Sequence, residues 1–379
     1  MSVAQPAVLV AGLVALVALA ALGGSTARQS VPRRVAVAGS AAAVCAAGLL
    51  VALGLRSAGA VASGGMGEAW GTAAQAVMSG KTSVREYLIP TPNSGPMIPA
   101  VAPNGWIWVG EMDANKIAAL DPASGVVKEL ALGPPIRSVM GLAITADGRV
   151  WWAEESTDQV GMLDPRTGET REVHLPTPDG GPVGIAVDGA GRLWVTEQAS
   201  GKIAQIDPAS GAVHEYVIPT SNPVPYWIAA APDGRIWFTE MDGRAVAVLD
   251  PVTGAFREYR NSAMQGEPVG IAVDRSGVVW FSTLDGHLGR LDPAVGSLTS
   301  VSLGTGGAGY GVAVDAAGRV WVGQLGSLIA RYDPTSRTVI SIPMPTSEGG
   351  PWWPAVDASG NVWVVESTLA ANRLARIPP

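Results

Sequence analysis

The chain has 379 residues, a formal net charge of −7, 48 Gly, 29 Pro, and 13 Trp against only 3 Phe and 6 Tyr. Residues 1–80 carry Arg28, Arg33, Arg34 and Arg56 against Glu68 alone, so the remainder is strongly acidic, which argues against nucleic acid or an anionic lipid surface as its main partner. A single cysteine, Cys45, leaves no internal disulfide and gives no information on redox compartment.

Two uncharged apolar runs come first, 7–24 and 35–55, each long enough to cross a bilayer core as a helix. The loop between them holds Arg28, Arg33 and Arg34 and no acid, which places it in the cytoplasm and both flanks outside. Residues 1–56 therefore read as a two-pass helical hairpin in the cell membrane, with small residues Gly39, Ala43 and Ala47 at four-residue steps suited to close helix contact. The competing reading is a cleavable signal ending at Ala60-Val61-Ala62, before Ser63. Residues 57–80, rich in Gly, Ala and Ser, read as a linker.

Residues 81–379 are periodic. Aligned on Trp108, Trp151, Trp194, Trp237, Trp280, Trp321 and Trp363, the repeats are spaced 43, 43, 43, 43, 41 and 42 residues apart. Each contains four short apolar runs, as in GIAVD, RLWVTE, KIAQID and AVHEYVIP, with Asp-Pro turns between the third and fourth. This is the pattern of a four-stranded antiparallel propeller blade, so the expected fold is an all-β seven-bladed propeller. The seventh repeat stops after its third run, while SVREYLIP (83–90) is a fourth run with no blade before it. The N-terminal strand is expected to complete the last blade and close the ring. The repeated Trp reads as packing between blades.

Within each repeat one position after the first-strand Pro changes identity: Met97, Met140, Val183, Tyr226, Val269, Tyr310 and Trp352. Three residues after each Trp stand Glu111, Glu154, Glu197, Glu240, Thr283, Gln324 and Glu366. Val183 and Glu197 are equidistant from Ala190, so a symmetric hairpin sets them opposite each other. Around the ring this predicts a collar of five glutamates beside an aromatic and methionine lining. Such a collar either pairs locally, as Glu111 with Lys116 or Glu197 with Lys202, or holds magnesium or calcium, or attracts a cationic ligand.

The phrases PVGIAVD, IWFTE, NKIAALDP and EYVIPT, over roughly residues 81–379, resemble the streptogramin (virginiamycin B) lyase family. That resemblance implies a seven-bladed propeller whose enzymes open a cyclic depsipeptide antibiotic by elimination. In the family the variable slot carries His in two successive blades, one of them the general base, while a preceding acid and a Glu fourteen residues later help hold magnesium. The resemblance puts these roles on Tyr226, Val269, Glu267 and Thr283, of which only Glu267 keeps the required type. The three histidines, His174, His214 and His287, lie outside the slots. With no base in the slot, the expectation is a non-catalytic, extracytoplasmic, membrane-anchored propeller. It would bind a small-molecule or cationic ligand through Met97, Met140, Tyr226, Tyr310 and Trp352, or serve as an accessory subunit of an integral-membrane partner. The alternative is a divergent lyase, or a metal-assisted hydrolase working from the glutamate collar.

Overall fold

The computed structural model of the chain describes residues 77–78 and 84–379, apart from 261–265, 305–306, 347–348 and 369–370. The two apolar runs, and the linker up to residue 76, lie outside the described residues. Among the described residues no helix is long and apolar enough to cross a membrane.

The repeats fold as antiparallel blades. In blade 3 the strands are Pro182–Val187, Leu193–Glu197, Lys202–Ile206 and Val213–Val217, hydrogen-bonded in that order. Blades 1, 2, 4, 5 and 6 repeat this arrangement behind first strands Pro96–Val101, Val139–Ile144, Pro225–Ala230, Pro268–Val273 and Gly309–Val314. The first strands neighbour one another in order, and that of blade 7, Pro351–Val356, neighbours that of blade 1. The ring is closed, with seven blades.

Closure follows the predicted route. Strand Arg85–Leu88 pairs with Ala371–Ile377, the last strand of the chain, in blade 7. One detail differs from expectation. Val77–Met78, placed in the linker by composition, pairs outside Arg85–Leu88 as a fifth strand, so the closing strand is not the outermost.

The repeated Trp does two jobs. Its ring packs on the next blade: Trp194 sits with Ile228, Ile236 and Phe238 of blade 4, and Trp363 with Ile107 and Val109 of blade 1. Its indole N–H donates to an aspartate at the end of the first strand, from Trp194 to Asp188, Trp280 to Asp274, Trp321 to Asp315 and Trp363 to Asp357, at 2.8–3.0 Å. The other oxygen of Asp188 accepts the Ala190 and Arg192 backbone N–H groups, so a single carboxylate caps the turn and anchors the Trp. In blade 2 Thr145 replaces that aspartate. Asp147 then caps the turn, and the Trp151 indole N–H is left without a hydrogen-bond partner.

Candidate functional site

The variable slots line the ring axis, where each first strand departs from regular pairing. Ile185 pairs with Val195 as the symmetric hairpin requires, but Pro182, not Val183, pairs with Glu197. An extra residue is accommodated in a β-bulge between Pro182 and Ile185, and every blade has the same break. At Gly184 the bulge carries a bridge to the next blade. Its N–H bonds the Thr196 hydroxyl (2.8 Å), which in turn donates to the Tyr226 carbonyl of blade 4 (2.9 Å). A Cβ on Gly184 would stand 2.7 Å from that carbonyl oxygen, so glycine suits the close approach in this blade, although Trp227 makes the same bridge from blade 4. Thr239 repeats the bridge between Trp227 and Val269, and Ser282 between Gly270 and Tyr310.

The slot side chains do not form the open lining expected from the sequence. Met97, Met140, Val183, Tyr226, Val269, Tyr310 and Trp352 are all buried. Tyr310 and Trp352 stack at 5.2 Å with an interplanar angle of 8°, and Trp353 reaches Tyr226, Trp227 and Tyr310. Gly141, Gly184 and Gly270 lie against backbone carbonyls of the next blade, and only Gly311 makes room for a ring: a Cβ there would stand 2.3 Å from Trp353. Tyr226, Tyr310, Trp352 and Trp353 thus pack on one another inside the ring.

The five glutamates do not converge either. Among the described residues no three His, Cys, Asp or Glu side chains form a group that could hold a metal ion. Glu111, Glu154, Glu197, Glu240 and Glu366 are fully buried, one per blade, beneath the loop that enters the first strand. A Cβ on Gly180 would meet Glu197 Oε2 at 2.8 Å, and one on Gly349 would meet Glu366 Oε2 at 2.9 Å. Their charged neighbour is a second glutamate that sequence reasoning missed, on the fourth strand of the same blade. These are Glu129, Glu172, Glu215, Glu258 and Glu86, and each recurs within a fourth run such as HEYV or REYL. Lys116 and Lys202 turn to these outer carboxylates (3.0 and 2.5 Å) and not to Glu111 and Glu197.

The outer glutamates bridge blades. Thr91, Thr177, Thr220 and Thr346, each in the loop leaving the preceding blade, donate to Glu129, Glu215, Glu258 and Glu86. Burial raises Glu129 and Glu215, but the threonine and lysine donors outweigh it and hold both below the ordinary carboxylate range. The inner acids move the other way. Burial first, then repulsion from the outer carboxylate, pushes Glu111 and Glu366 up to about 8 and Glu197 to about 7. Burial pushes Glu240 up to about 7, with Glu258 adding to the shift.

At the four positions where the resemblance implies lyase chemistry, the geometry is different. Val269 is fully buried and has no titratable atom, and Tyr226 belongs to the axial packing. Glu267 lies at the solvent side and pairs with Arg244 at 2.9 Å. Thr283 donates to Asp285 (2.5 Å), whose Oδ1 lies 3.2 Å from His287 Nδ1. A carboxylate paired with arginine and a hydroxyl committed to Asp285 do not fit a bound magnesium or calcium ion.

The structure thus defines a closed seven-bladed propeller with a filled axis, no histidine in its slots, and five blades built around paired acids. The chain belongs to the Virginiamycin B lyase family, whose profile it matches over residues 60–377. Among solved structures it is similar to virginiamycin B lyase from Staphylococcus aureus, at 24% identity and TM-score 0.72, covering 78% of this chain and 98% of that one. It is also similar to a streptogramin B lyase, at 26% identity and TM-score 0.71, covering 77% and 96%. A catalytically inactive variant of the Staphylococcus aureus enzyme with quinupristin matches at 23% identity and TM-score 0.72, covering 78% and 98%. A comparison with curated protein sequences found no match.

Proposed function

We propose that this member of the family is a binding propeller without lyase activity, tethered to a membrane and acting outside the cytoplasm beside an integral-membrane partner. The observation that carries the first part is Val269: the slot that the resemblance assigns to the general base holds a buried side chain unable to accept a proton. The tether and the partner rest on the sequence, namely the two apolar runs, the arginines between them and the small residues Gly39, Ala43 and Ala47. The test of the first part is incubation of the purified protein with a streptogramin B antibiotic and magnesium, followed by mass spectrometry. No ring-opened product is expected. Product that grows with time and is lost in Glu267→Gln would overturn the reading.

A second reading is supported by one observation in blade 5, the blade to which the family's site falls. Asp285 accepts the Thr283 hydroxyl and its Oδ1 lies 3.2 Å from His287 Nδ1 without a hydrogen bond between them, so a turn of the ring would be needed for Asp285 to orient the imidazole as a base. Were the chain a divergent lyase, His287→Ala would abolish the product sought above while Val269→Ala would not.

A further inference from the structure

Five blades carry the same three side chains, and each time the charges do not balance. Glu111 and Glu129 have Lys116, Glu197 and Glu215 have Lys202, Glu240 and Glu258 have Arg260, and Glu366 and Glu86 have Arg373. In blade 2 Glu154 and Glu172 have Arg137. Two carboxylates against one cation leave each set one negative charge in excess, and the inner member is fully buried in every case. An uncompensated buried charge costs far more than a bound proton.

The hydrogen bonding repeats the imbalance. Both side-chain oxygens of Glu111, Glu240 and Glu366, and one of Glu197, are buried and receive no hydrogen bond from the described residues, Arg260 coming only to 3.8 Å of Glu240. The acid beside each has its own donors already. Glu86 takes the Thr346 N–H and hydroxyl together with Arg373, and Glu129 takes the Thr91 N–H and hydroxyl together with Lys116. Blade 2 escapes, since Glu154 receives the Trp152 indole N–H, the Thr157 hydroxyl and Arg137. Blades 5 and 6 change both acid positions together, to Thr283 with Ser300 and to Gln324 with Ser341. The two glutamates come and go as a unit.

We propose that in blades 1, 3, 4 and 7 the inner and outer glutamates hold one proton between them, and that this proton keeps the blade seams closed. It supplies the missing donor and removes the excess charge in one step. Among the described residues no other side chain facing these groups does both. Glu366 meets Glu86, Arg373 and Thr346; Glu111 meets Glu129, Lys116 and Ser94. Glu197 meets Glu215, Ser200, Lys202 and Asp158; Glu240 meets Thr220, Glu258 and Arg260. The sets in blades 7 and 1 flank the ring closure, because Glu86 lies on the closing strand and Thr91 follows it. Loss of the proton therefore acts first on that strand. The upward shifts to about 8 at Glu111 and Glu366 agree with this order.

The test is thermal unfolding of the full-length protein across pH 5–9, beside the double variant Glu111→Gln/Glu366→Gln. A group whose folded-state pKa is raised stabilises at low pH and loses that contribution as pH rises through the folded value. The wild-type Tm should fall by at least about 5 °C from pH 6 to pH 9, and the variant, with an amide standing for the protonated acid, should lose about half of that fall. The wild type should also show an infrared carboxylic-acid C=O band at pH 6 that bleaches by pH 9 and is weaker in the variant. Should the double variant not fold, single Glu366→Gln and amide exchange at residues 85–88 replace it, with exchange in the wild type accelerating more steeply with pH. A flat wild-type Tm, a variant that falls as steeply as the wild type, or no bleaching band would each overturn the proposal.

Discussion

Thr346, in the loop that leaves blade 6, donates its backbone N–H and its hydroxyl to Glu86, 260 residues earlier on the strand that closes blade 7, at 2.9 Å each. Arg373 completes the joint at 2.6 Å from Glu86. Glu86 is buried, so removing it strands three donors at once. Glu86→Ala is expected to destabilise by about 3 kcal/mol. Ser341→Ala, at the matching exposed position of blade 6, should change stability by less than about 0.5 kcal/mol. Urea midpoints of the two variants check this, and equally small effects would remove the joint from the account of ring closure.

Asp188 offers a second lever at the opposite ends of the strands. Burial raises it, but the Trp194 indole and the Arg192 backbone and guanidinium outweigh that and hold it below its ordinary value; the same balance, with local donors, lowers Asp274, Asp315 and Asp357. Asp188→Ala should cost about 2–3 kcal/mol, because it frees the Trp194 indole and two turn N–H groups together. Carboxylates lowered in the folded state stabilise above the ordinary aspartate range, and that contribution is lost as pH falls through their folded values. The buried glutamates act in the other direction. Unfolding free energy should therefore be greatest in mildly acidic buffer and decline on both sides, which urea titrations at several pH values would show. A maximum above pH 8 would contradict the raised glutamates, and stability that holds unchanged down to pH 2 would contradict the lowered aspartates.

Much of this architecture is legible in the residues. The Trp spacing counts the blades, and the orphan fourth run at 83–90 names the closing strand. The site was read less well, for two physical reasons. Hairpin symmetry sets Val183 opposite Glu197, yet the chain spends one residue on a bulge in every blade, whether glycine or Ile98, Trp227 or Trp353 follows the slot, so no residue type marks it. Alternation along one strand also says nothing about a partner two strands away. The link between Glu197 and Glu215 crosses the third strand, and only their joint absence from blades 5 and 6 betrays it. The axial aromatics illustrate a third limit. Tyr310 and Trp352 are residue types common at interfaces, but here they are buried and stack on each other.

A last prediction concerns how blades of one fold tolerate different core residues. The position after each repeated Trp and its partner on the third strand are matched in size, except in blade 4. Val109, Val195, Val322 and Val364 face Ala118, Ala204, Ala330 and Ala375, Trp152 faces Gly161 and Phe281 faces Gly289, and in blade 4 Phe238 faces Ala247, its ring standing edge-on to Phe256. A Cβ on Gly289 would fall 2.0 Å from the buried Phe281 ring as it now lies, so the ring would have to turn from its present position. Gly289→Ala alone should cost about 2–3 kcal/mol by overpacking, and Phe281→Val alone about 2 kcal/mol by leaving a cavity. Together they rebuild the Val–Ala pair of blades 1, 3, 6 and 7, so the double variant should be more stable than the sum of the two changes predicts by at least about 1 kcal/mol. Denaturant unfolding of the three variants closes the cycle. Simple additivity would show that Gly289 is there for the backbone and not for the ring.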